Sequence, residues 1–307
     1  MEISDYAEAY FDALEALLDT AAIRRASLTV VIDPANGAAC RFLAPFAQRL
    51  GFQLVAVNAE EAGFMARDPE PRPRNARQVA AILPLVQADV GFVCSSDFGR
   101  VSIVTNEGEA ASEEFTFPLV ADHVLRRSPG VLVTNCCTTR MVDDVAAAHK
   151  CRVVKAAVGQ AHILAALADE DGVFGGEGNG SVVVPAFSRA FDGFLTIGLV
   201  LESLAQRAGK ISARLHELPQ YHIVKRQVYG EPRRCYRAME ALREHAEELA
   251  GSRLDRTDGL RADWDDGWLH VRASQTEPMI RIISESRVRP RAEERAMNIV
   301  RLLEREL

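Results

Sequence analysis

The chain has 307 residues, 48% of them hydrophobic and 26% charged, which predicts two or three folded domains and excludes a disordered chain. No apolar run reaches the roughly 18 residues of a membrane span, and Glu2 and Asp5 stand where a secretory signal would be basic, so a cytoplasmic protein is expected. Lys+Arg 36 against Asp+Glu 43 gives a net charge of -7, which argues against a nucleic-acid partner and offers no basic face for a membrane surface. The six cysteines form no CxxC pair, and Cys136 and Cys137 read as reduced thiols near a strand end.

In chain order, an amphipathic helix is predicted over 6–18, with Tyr10, Leu14, Leu17 and Leu18 at helical spacing. A strand at 28–32 closes on Asp33-Pro34-Ala35-Asn36-Gly37 and leads into a helix over 38–50. A strand at 52–57, an Arg- and Pro-rich loop at 67–74, a helix at 76–86 and a strand at 89–94 follow. The alternation predicts a parallel sheet covered by helices. A second alternation begins near Pro118: strands at 131–134, 152–155 and 181–184, with helices at 140–149, 159–168 and 192–207. From Ile211 the pattern changes to an extended 221–229, a charged helix over 232–250, strands at 259–263, 268–272 and 279–284, and a helix over 291–306. That is an α+β module rather than a third doubly wound unit.

Three segments could carry chemistry. Arg272-Ala-Ser-Gln-Thr-Glu-Pro278 puts a guanidinium, two hydroxyls (Ser274, Thr276) and an amide (Gln275) in one turn, a combination that suits a phosphate dianion. A hairpin turn capped by Ser and Thr is the alternative. Gly175 to Gly180 surrounds Glu177 with glycines, so that the backbone could approach a ligand while the carboxylate accepts two sugar hydroxyls. A flexible connection between strands explains the same residues. Ala88 to Arg100 ends a predicted strand at the sheet edge where α/β proteins place ligands, and Asp97 and Arg100 there are either functional or paired with each other. The histidines have no metal-ligand spacing; His123, His149, His216 and His245 fall at polar helical positions and are expected to be solvated, and none is assigned to catalysis.

Taken in this order, the segments resemble the α-D-phosphohexomutase superfamily of phosphomannomutases and phosphoglucomutases. The resemblance runs the length of the chain and also includes Asp33 to Gly37, Val158-Gly159, Asp258-Gly259 and Gly267-Trp268. It implies an α/β protein: two tandem phosphohexomutase-type α/β domains, at 1–115 (the second domain of the family) and 116–210 (the third), followed by a C-terminal α+β domain at 211–307 (the fourth). The family's first domain carries a phosphoserine, and no Thr-Ala-Ser-His-Asn-Pro-like segment occurs here, so the phosphoryl-carrying domain is expected to be missing. The family's metal loop has three aspartates before an arginine; Ser95, Asp97, Gly99 and Arg100 align with them, so two of three ligands are replaced and the family Mg2+ site is expected to be lost. Asn179 and Ser181 stand for a usual Ser and His, and Gln275 for a usual Gly or Asn.

The resemblance implies substrate-phosphate binding by Arg272, Ser274, Gln275, Thr276 and Arg281, sugar binding by Glu177 and Asn179, and a residual metal loop at Asp97 and Arg100, with no catalytic residue. A non-catalytic phosphosugar-binding module is therefore expected, regulatory or accessory in sugar-phosphate or nucleotide-sugar metabolism. Its implied partners are a hexose phosphate, the missing N-terminal domain or a sugar nucleotidyltransferase. The alternative is a fragment or subunit of an active hexose-phosphate mutase whose first domain is supplied elsewhere.

Overall fold

The computed structural model describes residues 3–207, 209–244, 249, 251–274 and 277–306. They divide into two compact units. One comprises Met1–Thr134, Val142–Val154 and Leu164–Leu218, the other Asn135–Met141, Lys155–Ile163 and Pro219–Leu307.

The first unit opens with helices α1 (Ile3–Leu17) and α2 (Thr20–Ala26), joined at Asp19, whose carboxylate caps α2 by accepting from the Ala22 amide at 2.9 Å. Strand β1 (Thr29–Asp33), helix α3 (Leu43–Leu50), β2 (Gln53–Ala56), α4 (Arg77–Ile82), β3 (Val90–Cys94) and β4 (Val101–Thr105) follow. The sheet order is β2-β1-β3-β4. β1 pairs parallel with β2 and β3, as the alternation predicts, but β4 runs antiparallel to β3. The expectation of an all-parallel sheet is thus corrected at its edge: only the short turn at 95–100 separates β3 from β4, and so short a turn allows nothing but a reversal. β3 is buried along its whole length, in keeping with a strand covered on both faces. One face holds Val79, Leu83, Val93 and Val104; on the other, Phe11, Phe46 and Phe194 stack edge-to-face.

Helix α5 (Thr116–Arg127) leads to the second sheet, built from β5 (Leu132–Asn135), β6 (Val153–Ala156), β7 (Phe174–Glu177) and β8 (Ser181–Val183) in the order β6-β5-β7-β8. Helices α6 (Met141–Ala148) and α7 (Gln160–Asp169) connect its strands, and α8 (Gly193–Gln206) and α9 (Ile211–Glu217) follow. β7 is parallel to β5 and antiparallel to β8, so the glycine-rich segment is the tip of a hairpin rather than a flexible link.

His123 is only 3% exposed, which corrects the expectation that it is solvated. Its Nε2 lies 2.6 Å from Oε2 of Glu202, itself fully buried on α8, and Glu202 also accepts from Arg127 Nη1 and the Asp19 amide, both at 2.6 Å. Burial pushes the Glu202 pKa up, but the hydrogen bonds from His123 and Asp19 outweigh it and hold the carboxyl below its usual range. A polar position on an amphipathic helix can thus face inward when a buried charge requires a partner. His149 reaches Asp122 at 2.9 Å, and His245 lies outside the described residues.

The second unit gathers the turn after β5 and the β6–α7 connection with the C-terminal module. Strands β9 (His222–Tyr229), β10 (Arg253–Asp255), β11 (Leu260–Trp264), β12 (Gly267–Ala273) and β13 (Met279–Ser286) form an antiparallel sheet in the order β10-β11-β12-β13-β9. Helices α10 (Pro232–Glu244) and α11 (Arg289–Glu306) pack Ala238, Leu242, Ala296, Ile299 and Leu303 against Leu269, Val271, Ile280 and Ile282. The turn between β11 and β12 is held by Asp266, which accepts from Arg295 at 2.7 Å, Ser286 at 2.9 Å and Arg291 at 3.2 Å. Burial acts to raise its pKa, yet these bonds win and lower it from 3.8 to about 2. A carboxylate with a lowered folded-state pKa stabilises above its unfolded pKa, and that contribution disappears as pH falls toward the folded value. Asp266→Asn is therefore expected to lower the melting temperature at about pH 6, with the gap to the unsubstituted protein closing at about pH 2. An equal gap at both pH values would contradict this assignment.

Candidate functional site

In the first unit the candidate residues sit at the ends of β1, β3 and β7. After β3 the chain turns tightly: the Ser95 amide donates to Arg100 O at 2.9 Å, the Phe98 amide to Ser95 O at 2.9 Å and the Arg100 amide to Ser95 Oγ at 3.0 Å. Asp97 Oδ1 accepts from the Ser95 hydroxyl and, at 3.0 Å, from the Gly99 amide. Burial acts to raise the Asp97 pKa, but these two bonds and the nearby Arg100 leave it below the usual carboxylate value. Arg100 does not pair with Asp97. Its Nη1 reaches both oxygens of Glu70, at 2.8 and 2.7 Å.

Two further charged residues belong to this corner and were not assigned from sequence. Asp33, read there only as part of a turn, is completely buried at the end of β1. Arg67 donates to its carboxylate at 2.9 Å, to its carbonyl at 3.0 Å and to Cys94 O at 2.8 Å, tying the ends of β1 and β3 together. The signal was present: a buried carboxylate at a strand end needs a cation, and the 67–74 loop supplies arginines. Gly37, beside Asp33, lies against the Ser96 backbone so closely that any Cβ there would collide with it.

A divalent cation of the magnesium type needs one or two carboxylates with further oxygens placed around it. The 95–100 turn offers one carboxylate, a hydroxyl already donating to it, and a glycine; among the described residues no group of three His, Cys, Asp or Glu is placed to hold a metal. The residues present do not fit the ion.

The β7–β8 hairpin adjoins this turn, since the Val101 amide donates to Gly180 O at 3.0 Å. Gly180 has φ +86°, and a Cβ there would strike the Val101 carbonyl, so both conformation and space require glycine. Glu177 is 6% exposed, and its Oε2 accepts from Asn179 Nδ2 at 2.9 Å. Asn179 Oδ1 in turn accepts from the Ser181 amide at 3.0 Å, so Asn179 is committed to the turn at both ends of its amide. The Ser181 hydroxyl is buried with no partner among the described residues.

In the second unit, Arg272 on β12 and Arg281 on β13 are cross-strand neighbours, which puts both guanidinium groups on one face of the sheet. Arg272 Nε lies 3.2 Å from Asp258 Oδ1, and Asp258 Oδ2 accepts from the Val158 amide at 2.9 Å. Arg281 pairs with Glu277 at 2.5 Å. Ser274 closes the turn, its amide donating to Met279 O at 2.9 Å and its hydroxyl accepting from the Glu277 amide at 3.3 Å. Gln275 and Thr276 lie outside the described residues. Cys136 Sγ approaches His270 Nε2 at 3.5 Å, but burial pushes the thiol up to about 11 and the imidazole down, so this is a neutral pair and not an activated nucleophile.

Two α/β modules with ligand-type loops at their strand ends, followed by an antiparallel sheet with paired arginines at its terminal turn, define a multidomain α/β protein of the phosphohexomutase type. Residues 8–108 match the phosphoglucomutase/phosphomannomutase alpha/beta/alpha domain II, residues 113–222 domain III, and residues 230–302 the C-terminal domain. The chain belongs to the phosphoglucomutase/phosphomannomutase family. It is 36% identical over 305 residues to a phosphoglucomutase/phosphomannomutase of Thermococcus kodakarensis, covering 99% of this chain and 66% of that protein. The probable phosphoglucosamine mutase of Methanopyrus kandleri is 33% identical over 284 residues, covering 92% of this chain and 62% of its own length. The chain thus spans less than two thirds of these relatives. Among solved structures, a phosphoglucomutase/phosphomannomutase family protein of Burkholderia thailandensis shares the fold with TM-score 0.85 at 24% identity, covering 98% of this chain and 64% of that one. An Aspergillus fumigatus N-acetylphosphoglucosamine mutase in complex with GlcNAc-6P and magnesium shares it with TM-score 0.69 at 15% identity, over 96% of this chain and 69% of that one.

Proposed function

We propose that this chain binds a hexose phosphate and does not by itself turn over a hexose-phosphate mutase reaction. The 95–100 turn is the observation that carries the reading. Phosphoryl transfer is catalysed by positioning and by neutralising the charge of the moving group. Here Asp97 is the one carboxylate of the turn, and its Oδ1 takes the Ser95 and Gly99 hydrogens. The binding half of the reading rests on other residues. Arg272 and Arg281, with Ser274 and its sequence neighbours Gln275 and Thr276, are the forked cations and neutral donors assigned to a phosphate. Glu177 offers a carboxylate to sugar hydroxyls, and Asn179, whose amide is bonded within the turn, orients it. Relatives named as phosphosugar mutases, and a fold neighbour solved with GlcNAc-6P, support the ligand class. We assign it a regulatory or accessory role in the cytoplasm, with a phosphoserine-bearing domain or a sugar nucleotidyltransferase as candidate partners.

A second reading rests on the relatives, which are named as mutases: the chain is a fragment or subunit of an active hexose-phosphate mutase whose first domain is supplied elsewhere. A coupled mutase assay with a glucose or mannose 1,6-bisphosphate activator, with and without magnesium, and run both on the chain alone and with a separately supplied phosphoserine-bearing domain of a relative, separates the two. We expect no turnover above background and no shift of the melting temperature on adding magnesium. Turnover would establish the second reading instead.

A further inference from the structure

The C-terminal module holds a cavity of about 500 Å³ that no part of the proposed phosphosugar reading uses. It lies between α10, α11 and the sheet, with Leu269, Ile299 and Leu302 among its lining. Its rim is cationic: Arg295, Arg301 and Arg305 all border it, with Asn298 beside them. The spacing explains the arrangement, because residues 295, 298, 299, 302 and 305 recur at helical intervals on one side of α11.

The sheet topology separates this cavity from the Arg272 turn. Trp264, which lines it, precedes the β11–β12 turn, whereas Arg272 and Ser274 lie at the β12–β13 turn, at the other end of β12. Arg295 stacks on Trp264 with its guanidinium carbon 4.1 Å from the ring centre and gives one terminal nitrogen to Asp266 at 2.7 Å. Its other terminal nitrogen, Nη1, is buried and has no acceptor among the described residues. A buried donor left without an acceptor is costly, and a turn of the Arg295 side chain toward an anion in the adjoining cavity would relieve it. Arg301 and Arg305 are exposed and have no carboxylate partner among the described residues. Arg295, which the fold uses internally, is by contrast supplied with a carboxylate, Asp266 at 2.7 Å.

We propose that this cavity is a binding site for a small amphiphilic anion, a carboxylate or phosphate head on a compact alkyl or aryl body. The apolar lining buries the body, and the three guanidinium groups take the head through charge-assisted hydrogen bonds. The volume lies in the range of small-molecule sites. A ligand there stiffens the packing of α10 and α11 on the sheet whose far end carries the Arg272 turn, which makes it a candidate effector site.

Displacement of the fluorescent probe anilinonaphthalene sulfonate from the full chain tests the assignment, with decanoate, decyl phosphate, decanol, decyltrimethylammonium and inorganic phosphate as competitors. Decanoate and decyl phosphate are expected to displace the probe at concentrations at least tenfold below those of decanol or the ammonium, and inorganic phosphate not at all. The exposed double substitution R301E/R305E is expected to weaken decanoate at least tenfold while leaving the melting temperature and glucose phosphate binding unchanged. Leu302→Trp, which projects a larger ring into the apolar part of the cavity, is a second route to the same loss. Decanol competing as well as decanoate, or R301E/R305E binding decanoate like the unsubstituted chain, would overturn the proposal. Arg272→Ala is expected to leave decanoate binding intact, so failure of the phosphosugar reading is read separately.

Discussion

Replacing Arg272 by alanine is expected to weaken glucose and mannose 1- and 6-phosphate binding by about 10- to 100-fold, the equivalent of about 1.5–3 kcal/mol for hydrogen bonds to a charged group. Arg272 is only 21% exposed at the side chain and is oriented by Asp258, which the Val158 amide holds in turn. A phosphate arriving there meets a guanidinium already fixed in direction, so little further ordering is required. Arg281, at 52% exposed and paired with Glu277, contributes less, and Arg281→Ala is expected to cost a few-fold at most. Titration calorimetry on both variants measures the difference. Unchanged affinity in Arg272→Ala, with an unchanged melting curve, would remove the phosphate assignment from this turn.

The largest loss of stability is expected from Glu202→Ala. The substitution strips a fully buried carboxylate from His123, Arg127 and the Asp19 amide at once. Removing one member of a buried ionic cluster typically costs about 3–5 kcal/mol, because the remaining polar groups keep their desolvation cost and lose their partner. Urea unfolding near neutral pH measures it. The sign of the pH dependence follows from the lowered Glu202 pKa: the contribution is present above the unfolded carboxyl value and is lost on acidification, so the deficit of the variant shrinks as pH falls. A deficit that stays the same at acid pH would mean that lost packing, and not the carboxylate, sets the cost.

Strand ends were the most legible part of this protein. The β-branched run before Asp33 and the apolar run 90–94 are buried central strands, and such runs need no distant information to be recognised. The antiparallel edges were harder. Val101–Thr105 has strand composition, but a parallel β-α-β expectation leaves no place for it. β7 reads Phe-Gly-Gly-Glu, and glycines in sequence signal a break; in the fold Gly176 is required because the Phe117 ring packs where a side chain would stand. The candidate site was legible in its residue types and not in its pairings. His123 and Glu202 are 79 positions apart, and Arg67 and Asp33 are 34 apart. No local pattern encodes a contact made by the return of the chain.

The turn at 95–100 carries a consequence for engineering. Its outline is drawn by main-chain amides, by Ser95 Oγ and by Asp97, and Gly99 adopts no left-handed conformation there, with Asp97 Oδ1 3.6 Å from where its Cβ would stand. Position 99 could therefore accept an acidic side chain without refolding the loop, whereas position 95 could not change without replacing two hydrogen bonds. The scaffold and the side chains it presents are written in different atoms, and at one of these two positions the side chain is open to rewriting.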